Sequence, residues 1–227
     1  FEAGAAQGSV YRNVIEIQNP SPAAVRFRMR TADWVLDAAG EAQFAYELAP
    51  GSCRPWVGLE AAEVRIEPNS RKRFRFEVAV PANAPSGQCR FAIMIEGDPQ
   101  RSGAMTVAGR IGVIVYLDIG DGAAKLQVLG ARVLEVEGRA LPVLSVRNEG
   151  NAHGRLQGLV DGTDAQGRRW TLAPANHPIL PGATREIPLY PMSEADGSLP
   201  ALAYPLQLQG RLEWGKQRIA VPASVGR

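Results

Sequence analysis

The sequence predicts an all-β protein that folds as two β-sandwich modules in tandem. The first observation behind this prediction is that the two halves of the chain repeat the same order of strand and turn signals. In each half a strand ends in Asn, a polar turn follows, and later strands are separated by turns that begin with Pro. The matching segments are 14–30, 66–81 and 84–97 in the first half and 143–160, 179–191 and 199–210 in the second. Modules of this kind usually bind or brace rather than catalyse, so we look for function on exposed strands.

The second observation is that apolar and arginine side chains alternate along segments 25–30 and 71–80. The apolar members are Val25, Phe27, Met29, Phe74, Phe76, Val78 and Val80, and the basic members are Arg26, Arg28, Arg30, Arg71, Arg73 and Arg75. A period of two places the apolar set on one face of a half-buried antiparallel strand and the arginines on the other. We therefore expect the six arginines to face solvent and to pair in part with nearby carboxylates.

The third observation is that no segment keeps a helical apolar stripe for three turns, so helix should be scarce. The nearest candidate for a helical turn is segment 61–68. Gly, Pro and Asn breaks recur instead at the short intervals that are typical of a sandwich. In the first half they fall at 19–22, 38–40, 50–51, 68–70 and 81–87.

The last strand of the first module is predicted in segment 104–118, where apolar residues share one parity. Residues 119–122 form a short hinge, so the predicted domains are 1–118 and 123–227. The second module opens with a strand near 125–138, and segment 160–170 is predicted to form the tip of a hairpin. Domains of about 100–120 residues are near the common domain size.

Composition excludes several classes of protein. The 227 residues are 45% hydrophobic and 21% charged, so both modules can bury a core and a mainly disordered chain is excluded. A net charge of +2 indicates neither a nucleic-acid footprint nor a polybasic membrane anchor. No apolar run reaches the ~18 residues that a membrane-spanning helix needs. We therefore expect no nucleic acid as a partner and no membrane span.

The two cysteines are the only redox signal. Cys53 and Cys89 lie in the first module, where neighbouring strands could bring them together. In an exported protein they would form one disulfide, and the alternative is a pair of buried free thiols. The chain starts at Phe1 without an initiator Met or a signal peptide, which we interpret as a mature or trimmed product.

No constellation of residues indicates catalysis, and we expect neither an enzyme nor a bound cofactor or metal. The two histidines, His153 and His177, lie in turn sequences without a nucleophile motif beside them. Asp161 and Asp164 lack the order of ligands and the terminal Glu of a calcium loop, so we assign them to a turn.

Several segments together resemble the periplasmic pilus-assembly chaperones, the PapD-like family. They are the strand ending in Asn at 15–19, the Ala-Asp-Trp segment at 32–34, the turn-and-strand segment 67–93 and the hinge before the second module. The resemblance covers nearly the whole chain. It implies two immunoglobulin-like sandwiches in an L or boomerang arrangement, located in the periplasm. It further implies a pilin-like subunit as partner, with an outer-membrane usher as a second candidate partner.

The resemblance also implies where the subunit would bind. In the family, the last strand of the first domain is lent to a subunit that lacks one strand, which is β-augmentation. Here that strand corresponds to 104–115, with Met105, Val107, Ile111 and Val113 as the inserted side chains. Arg110 matches the basic residue of the interdomain cleft that anchors the subunit's C-terminal carboxylate. The alternative interpretation of the same segment is an ordinary core strand.

The functional prediction is thus a non-enzymatic periplasmic chaperone that binds pilus or fimbrial subunits by strand donation. The alternative function is a structural or adhesive cell-surface module that binds proteins or glycans through the same sandwiches.

Overall fold

The computed structural model describes residues 1–37, 40–102, 105–107, 109–192 and 200–226, and within these ranges the side chains of 100–102 and 105–107 are not described. The chain divides into two compact units, Phe1–Asp121 and Gly122–Arg227. Both units are built from β-strands, and the one helical segment in the described ranges is a single 3₁₀ turn, η1 (Arg54–Trp56). Segment 61–68, the nearest candidate for a helical turn, instead contains a strand, because Val64 and Ile66 alternate with exposed residues and pack into the core.

The first unit is a sandwich of two sheets and a small hairpin. Its strands are β1 (Glu2–Ala5), β2 (Val10–Asn19), β3 (Val25–Leu36), β4 (Ala42–Ala45), β5 (Val57–Leu59), β6 (Glu63–Ile66), β7 (Ser70–Ala79), β8 (Gly87–Gly97), β9 (Gln100–Ser102), β10 (Met105–Val107) and β11 (Arg110–Ile119). One sheet has the order β1-β11-β8-β3-β4 with β6 also paired to β3, and the facing sheet has the order β2-β7-β5. Strands β9 and β10 form a separate two-stranded hairpin.

The second unit contains one continuous set of paired strands. They are β12 (Leu126–Val136), β13 (Arg139–Asn148), β14 (Val160–Thr163), β15 (Arg169–Pro174), β16 (Thr184–Pro191), β17 (Leu206–Trp214), β18 (Gln217–Ala220) and β19 (Ser224–Val225). Their order is β12-β13-β16-β15-β14-β17-β18, with β19 paired to β17. A separate core of buried Leu, Ile and Val side chains lies inside this unit.

The alternation read from segments 25–30 and 71–80 is confirmed. Phe74, Phe76 and Val78 are buried in the core of the first unit, and all six arginines are exposed. Four of these arginines lie within 4.0 Å of a carboxylate, and the pairs are Arg26–Glu63, Arg30–Glu96, Arg71–Glu16 and Arg75–Glu60. The arginines therefore form solvated faces on both sheets.

The disulfide between Cys53 and Cys89 is present, with a Cα–Cα distance of 5.6 Å. Cys53 immediately precedes η1, and Cys89 lies on β8 opposite Leu117 of β11. Both cysteines are buried in the core of the first unit. The bond therefore ties the segment between the two sheets to a central strand.

In both units, hydrogen bonds of a buried Asn side chain explain why a strand ends in Asn. Asn19 closes β2, and its buried amide donates to the carbonyl oxygens of Ala23, Ile66 and Glu67. Asn148 closes β13 in the same way and donates to the carbonyl oxygens of Ala152 and Ile179. A buried amide that satisfies several main-chain groups holds a turn against a neighbouring segment.

Candidate functional site

Strand β11 has one side fully paired and the other side only half paired. Along its whole length, from Arg110 to Ile119, it pairs antiparallel with β8. On its other side the pairing in the described residues is that of β1, which runs parallel to residues 116–119. Within the described residues no strand pairs with the outer side of 110–115.

The main-chain groups of this outer edge can be identified from two hydrogen bonds. The Tyr116 N–H donates to the Phe1 carbonyl oxygen (2.8 Å), and the Phe1 nitrogen donates to the Ile114 carbonyl oxygen (2.7 Å). The even-numbered residues of β11 therefore point their N–H and C=O groups away from β8. Because the strand has a period of two, Arg110 and Gly112 do the same. The Tyr116 N–H and the Ile114 carbonyl oxygen are bonded to Phe1, so the open edge consists of the main-chain groups of Arg110 and Gly112 and the Ile114 N–H. It spans five residues, about 17 Å.

The side chains of the odd-numbered residues of β11 change from exposed to buried along the edge. Ile111 is 62% exposed, Val113 is half-buried against the core, and Val115 is fully buried. A large aliphatic side chain that remains in water beside an unpaired edge is an aggregation hazard unless a partner covers it. The segment around Ile111 thus has both elements of a strand-pairing site, which are free main-chain groups and an apolar side chain.

The segment predicted as one strand is divided. Met105 and Val107 lie on β10, which pairs with β9, whereas Ile111 and Val113 lie on β11. Gly109 stands between the two strands, and its carbonyl oxygen accepts from the Gly97 N–H (2.9 Å). The side chains of Met105 and Val107, and all of residues 103, 104 and 108, lie outside the described part of the chain. Their role in binding stays a prediction.

Arg110 is exposed at the end of β11 and stands opposite Glu96 of β8. The Glu96 carboxylate accepts from Arg30 (3.0 Å) and from the Tyr46 hydroxyl. The Arg30 guanidinium also lies 3.5 Å from the centre of the Tyr46 ring. Burial alone would raise the pKa of Glu96, but the hydrogen bonds from Arg30 and Tyr46, together with the charge of Arg110, hold this pKa below its ordinary value. Two guanidinium groups around one ionised carboxylate leave a net positive charge at this end of the edge.

An aromatic cluster covers the outer face of the same sheet beside the edge. Trp34 and Tyr116 make an edge-to-face contact with ring centres 5.5 Å apart. A Cβ on Gly112 would lie 2.5 Å from Cζ of Phe44, so the glycine lets that ring pack directly against β11. Strand β11 is therefore supported on both faces, and its position does not depend on a partner.

Sequence reasoning missed Phe44, Glu96 and Arg90 as neighbours of this edge. The Arg90 guanidinium lies 5.2 Å from the Trp34 ring, and burial lowers the pKa of Arg90. The available signal was β8, where a continuous apolar run is typical of a strand covered on both faces. The identity of the covering residues depends on pairing between segments that are distant in sequence.

Among the described residues no group of three His, Cys, Asp or Glu side chains could hold a metal ion. Across the same residues, no helix is both long and apolar enough to cross a membrane.

Solved structures similar to this fold are known, although no family model and no curated protein matches the sequence. The YadV chaperone has a TM-score of 0.50 and 11% identity, over 97% of this chain and 96% of that chain. The class 5 fimbriae chaperone CfaA has a TM-score of 0.51 and 8% identity, over 96% and 95% of the two chains. A chaperone–tip adhesin complex of CFA/I fimbriae biogenesis has a TM-score of 0.51 and 8% identity, over 98% and 96%.

These likenesses, at such low identity, concern the fold. The chain has the two-domain fold of PapD-like fimbrial chaperones, which confirms the predicted pair of tandem immunoglobulin-like sandwiches. The resemblance inferred from the sequence is thereby confirmed at the level of architecture. The predicted L or boomerang arrangement, the domain boundaries and the place of Arg110 in an interdomain cleft stay predictions.

Proposed function

We propose that the protein is a non-enzymatic periplasmic chaperone that binds a pilin-like subunit along the open edge of β11. The observation that carries this proposal is the outer side of 110–113, with which no strand of the described residues pairs, together with Ile111, which is 62% exposed. The architecture supports it, because similar folds include fimbrial chaperones and a chaperone–tip adhesin complex.

The chemistry of binding is β-augmentation. A subunit that lacks one strand has an open edge and an apolar groove, and both need a partner to exclude water. The outward main-chain groups of Arg110 and Gly112 would extend the subunit's sheet. The side chains of Ile111 and Val113 would enter its groove. Residues 116–119 of β11 stay in their own sheet during binding, because they pair with β8 on one side and with β1 on the other.

Two further contacts belong to the same proposal. Met105 and Val107 of β10 would continue the donated apolar series. Arg110 would hold the C-terminal carboxylate of the subunit, since a guanidinium can bind a carboxylate through two parallel hydrogen bonds. An outer-membrane usher would then receive the complex.

Location in the periplasm is also part of this proposal. A disulfide in a small domain is typical of an oxidising compartment, and the periplasm is one.

Co-purification tests the function directly. Tagged chain would be co-expressed with pilin-like subunits, and Ile111→Asp should abolish recovery of the subunit because a carboxylate cannot enter an apolar groove without a large desolvation cost. The matched control is Leu48→Asp, since Leu48 is 58% exposed and lies on a loop rather than on β11. Met105→Asp combined with Val107→Asp tests the hairpin, and Arg110→Ala should weaken recovery.

The result that contradicts the proposal is a folded Ile111→Asp variant that recovers the subunit as well as the unchanged protein does. Binding of a glycan or a surface protein by that variant, with no subunit recovered by either form, would favour the surface-module alternative. Circular dichroism of each variant separates loss of binding from loss of fold.

A further inference from the structure

A second open edge lies in the other sheet of the first unit, along β2. This strand is ten residues long and pairs with β7 from Val10 opposite Ala79 to Asn19 opposite Ser70. Within the described residues no strand pairs with its other side, so β2 is an edge of the sheet β2-β7-β5. Native proteins rarely leave so long an edge without a device that controls what pairs with it.

Hydrogen bonds on β7 show which main-chain groups of β2 face outward. The Arg75 N–H donates to the Glu60 carboxylate (2.8 Å), and the Arg75 carbonyl oxygen accepts from the Glu60 N–H (3.1 Å), both on the β5 side. Val14, which stands opposite Arg75, must therefore turn its own N–H and C=O away from β7. In agreement, the Val14 N–H donates to the side chain of Asn13 (2.7 Å). The period of two assigns the outward groups of Arg12 and Glu16 to the same free edge.

The side chains of these outward residues carry a self-complementary charge pattern. Arg12 lies two residues before Val14 and Glu16 two residues after it, and their side chains are 70% and 54% exposed. Arg12 pairs with Glu77 of β7 at 3.1 Å, and Glu16 pairs with Arg71 of β7 at 3.6 Å. The strand therefore presents one positive and one negative side chain, placed symmetrically about an apolar centre.

We propose that the occupant of this edge is a second copy of the chain, paired antiparallel β2 to β2 with the two-fold axis at Val14. In this register Arg12 of each copy stands opposite Glu16 of the other, so two pairs of unlike charge form. A register centred on Arg12 or on Glu16 would instead place like charges directly opposite each other, which is destabilising. The charge pattern thus selects one register among those that the outward main-chain groups allow.

The dimer would join two three-stranded sheets into one sheet with the order β5-β7-β2-β2-β7-β5. Across it the charges alternate in sign, from Glu77 to Arg12 of one copy and on to Glu16 and Arg71 of the other. The Val14 N–H would exchange its bond to Asn13 for a bond to the Val14 carbonyl oxygen of the second copy. Strand β11 belongs to the opposite sheet, so the proposed subunit-binding edge stays free. This inference therefore goes beyond the proposed function and does not depend on it.

Charge swapping tests the register. Sedimentation equilibrium of the full chain, up to roughly 1 mM, should show a monomer–dimer equilibrium in the millimolar range or below. Arg12→Glu and Glu16→Arg should each weaken the dimer by about tenfold or more, because each creates two pairs of like charge. An equimolar mixture of the R12E and E16R chains should dimerise again, since both cross-strand pairs are then of unlike charge. The double variant R12E/E16R should also recover.

Two further variants serve as backbone test and control. Val14→Pro removes the N–H group at the centre of the edge but no bond to β7, and proline is tolerated on edge strands, so it should abolish the dimer without unfolding the protein. Arg26→Glu makes the same charge change as Arg12→Glu on an exposed strand arginine of the other sheet, and it should leave the dimer unchanged. Thermal unfolding of each variant confirms that it is folded.

The proposal is overturned if the chain stays monomeric up to roughly 1 mM. It is equally overturned if a dimer forms that is weakened neither by the two charge variants nor by Val14→Pro. It is also overturned if the Arg12, Val14 and Glu16 amides become protected from hydrogen exchange only when a pilin-like subunit is added. That result would assign the edge to the subunit.

Discussion

At the scale of single residues, buried polar side chains organise the turns of both units. Asn19 and Asn148 were visible in the sequence as strand-ending residues, but two of the carbonyl groups that they bind, those of Ile66 and Ile179, come from distant segments. Asp164 has a comparable role in the second unit, where its carboxylate accepts hydrogen bonds from Trp170, Arg168 and the Gln166 N–H. The assignment of Asp164 to a turn rather than to a calcium loop agrees with these bonds.

Asp164 makes stability of the second unit depend on pH. Burial alone would raise the pKa of Asp164, but the hydrogen bonds from Trp170, Arg168 and Gln166 hold this pKa well below its usual range. A depressed folded-state pKa contributes stability above the unfolded-state pKa, about 3.9, and this contribution is lost as pH falls toward the folded-state value. We expect Asp164→Asn to be less stable than the unchanged protein at neutral pH. The difference should shrink below about pH 4.

Urea unfolding at a series of pH values, followed by the NMR signals of the second unit, measures this difference. Asp161→Asn, on the exposed side of the same hairpin, is the control and should change the pH dependence little. A difference between Asp164→Asn and the unchanged protein that stays constant down to the acid limit would show that the bonds of Asp164 are not those of an ionised carboxylate.

At the scale of elements, the position of β11 depends on its neighbours on both faces. The Phe44 ring occupies the space that a Cβ on Gly112 would need, with Cε1 at 2.8 Å and Cζ at 2.5 Å. We expect Gly112→Ala to destabilise the first unit by about 1–3 kcal/mol, because the ring must move out of its packed position. In a Phe44→Leu background the same substitution should cost less. A double-mutant cycle measures the coupling, and strictly additive effects would contradict the contact.

The disulfide is a second test at this scale. It closes a loop with a sequence separation of 36 residues between the segment before η1 and strand β8. A loop of this length should stabilise the first unit by about 2–4 kcal/mol. Replacing both cysteines with alanine should lower the free energy of unfolding of that unit by this amount and leave the second unit unchanged. If separate probes of the two units showed equal losses in the free energy of unfolding, this localisation would be contradicted.

The sequence predicted the elements better than their connections. The alternation of apolar residues and arginines in β3 and β7 showed which side chains are buried, because a period of two depends only on local order. The division between β10 and β11 could have been suspected from Gly109. The open part of the β11 edge could not be predicted, since it depends on where β1 stops pairing, and so on contacts over more than a hundred residues. For the same reason the sequence did not identify Phe44 and Arg90 as neighbours of this edge.

At the scale of the whole molecule, both units follow one plan, with a strand that ends in a buried Asn and a separate apolar core in each. The fold alone does not define an activity, because sandwiches of this kind carry many functions. The functional proposal depends instead on a local feature of the first unit, the half-paired strand β11. The two edges proposed for binding, on β11 and β2, lie in different sheets, so subunit binding and self-association can be tested independently.

The central claim is that the outer edge of 110–115 pairs with a strand of a subunit. Site-resolved hydrogen exchange of free and subunit-bound chain measures this directly. We expect the Gly112 and Ile114 amides, which point away from β8, to exchange rapidly in the free protein and slowly in the complex. The Ile111 and Val113 amides, which point toward β8, should be protected in both states. Gly112 and Ile114 amides that are already protected in the free monomer, or that exchange equally fast in the complex, would contradict the account.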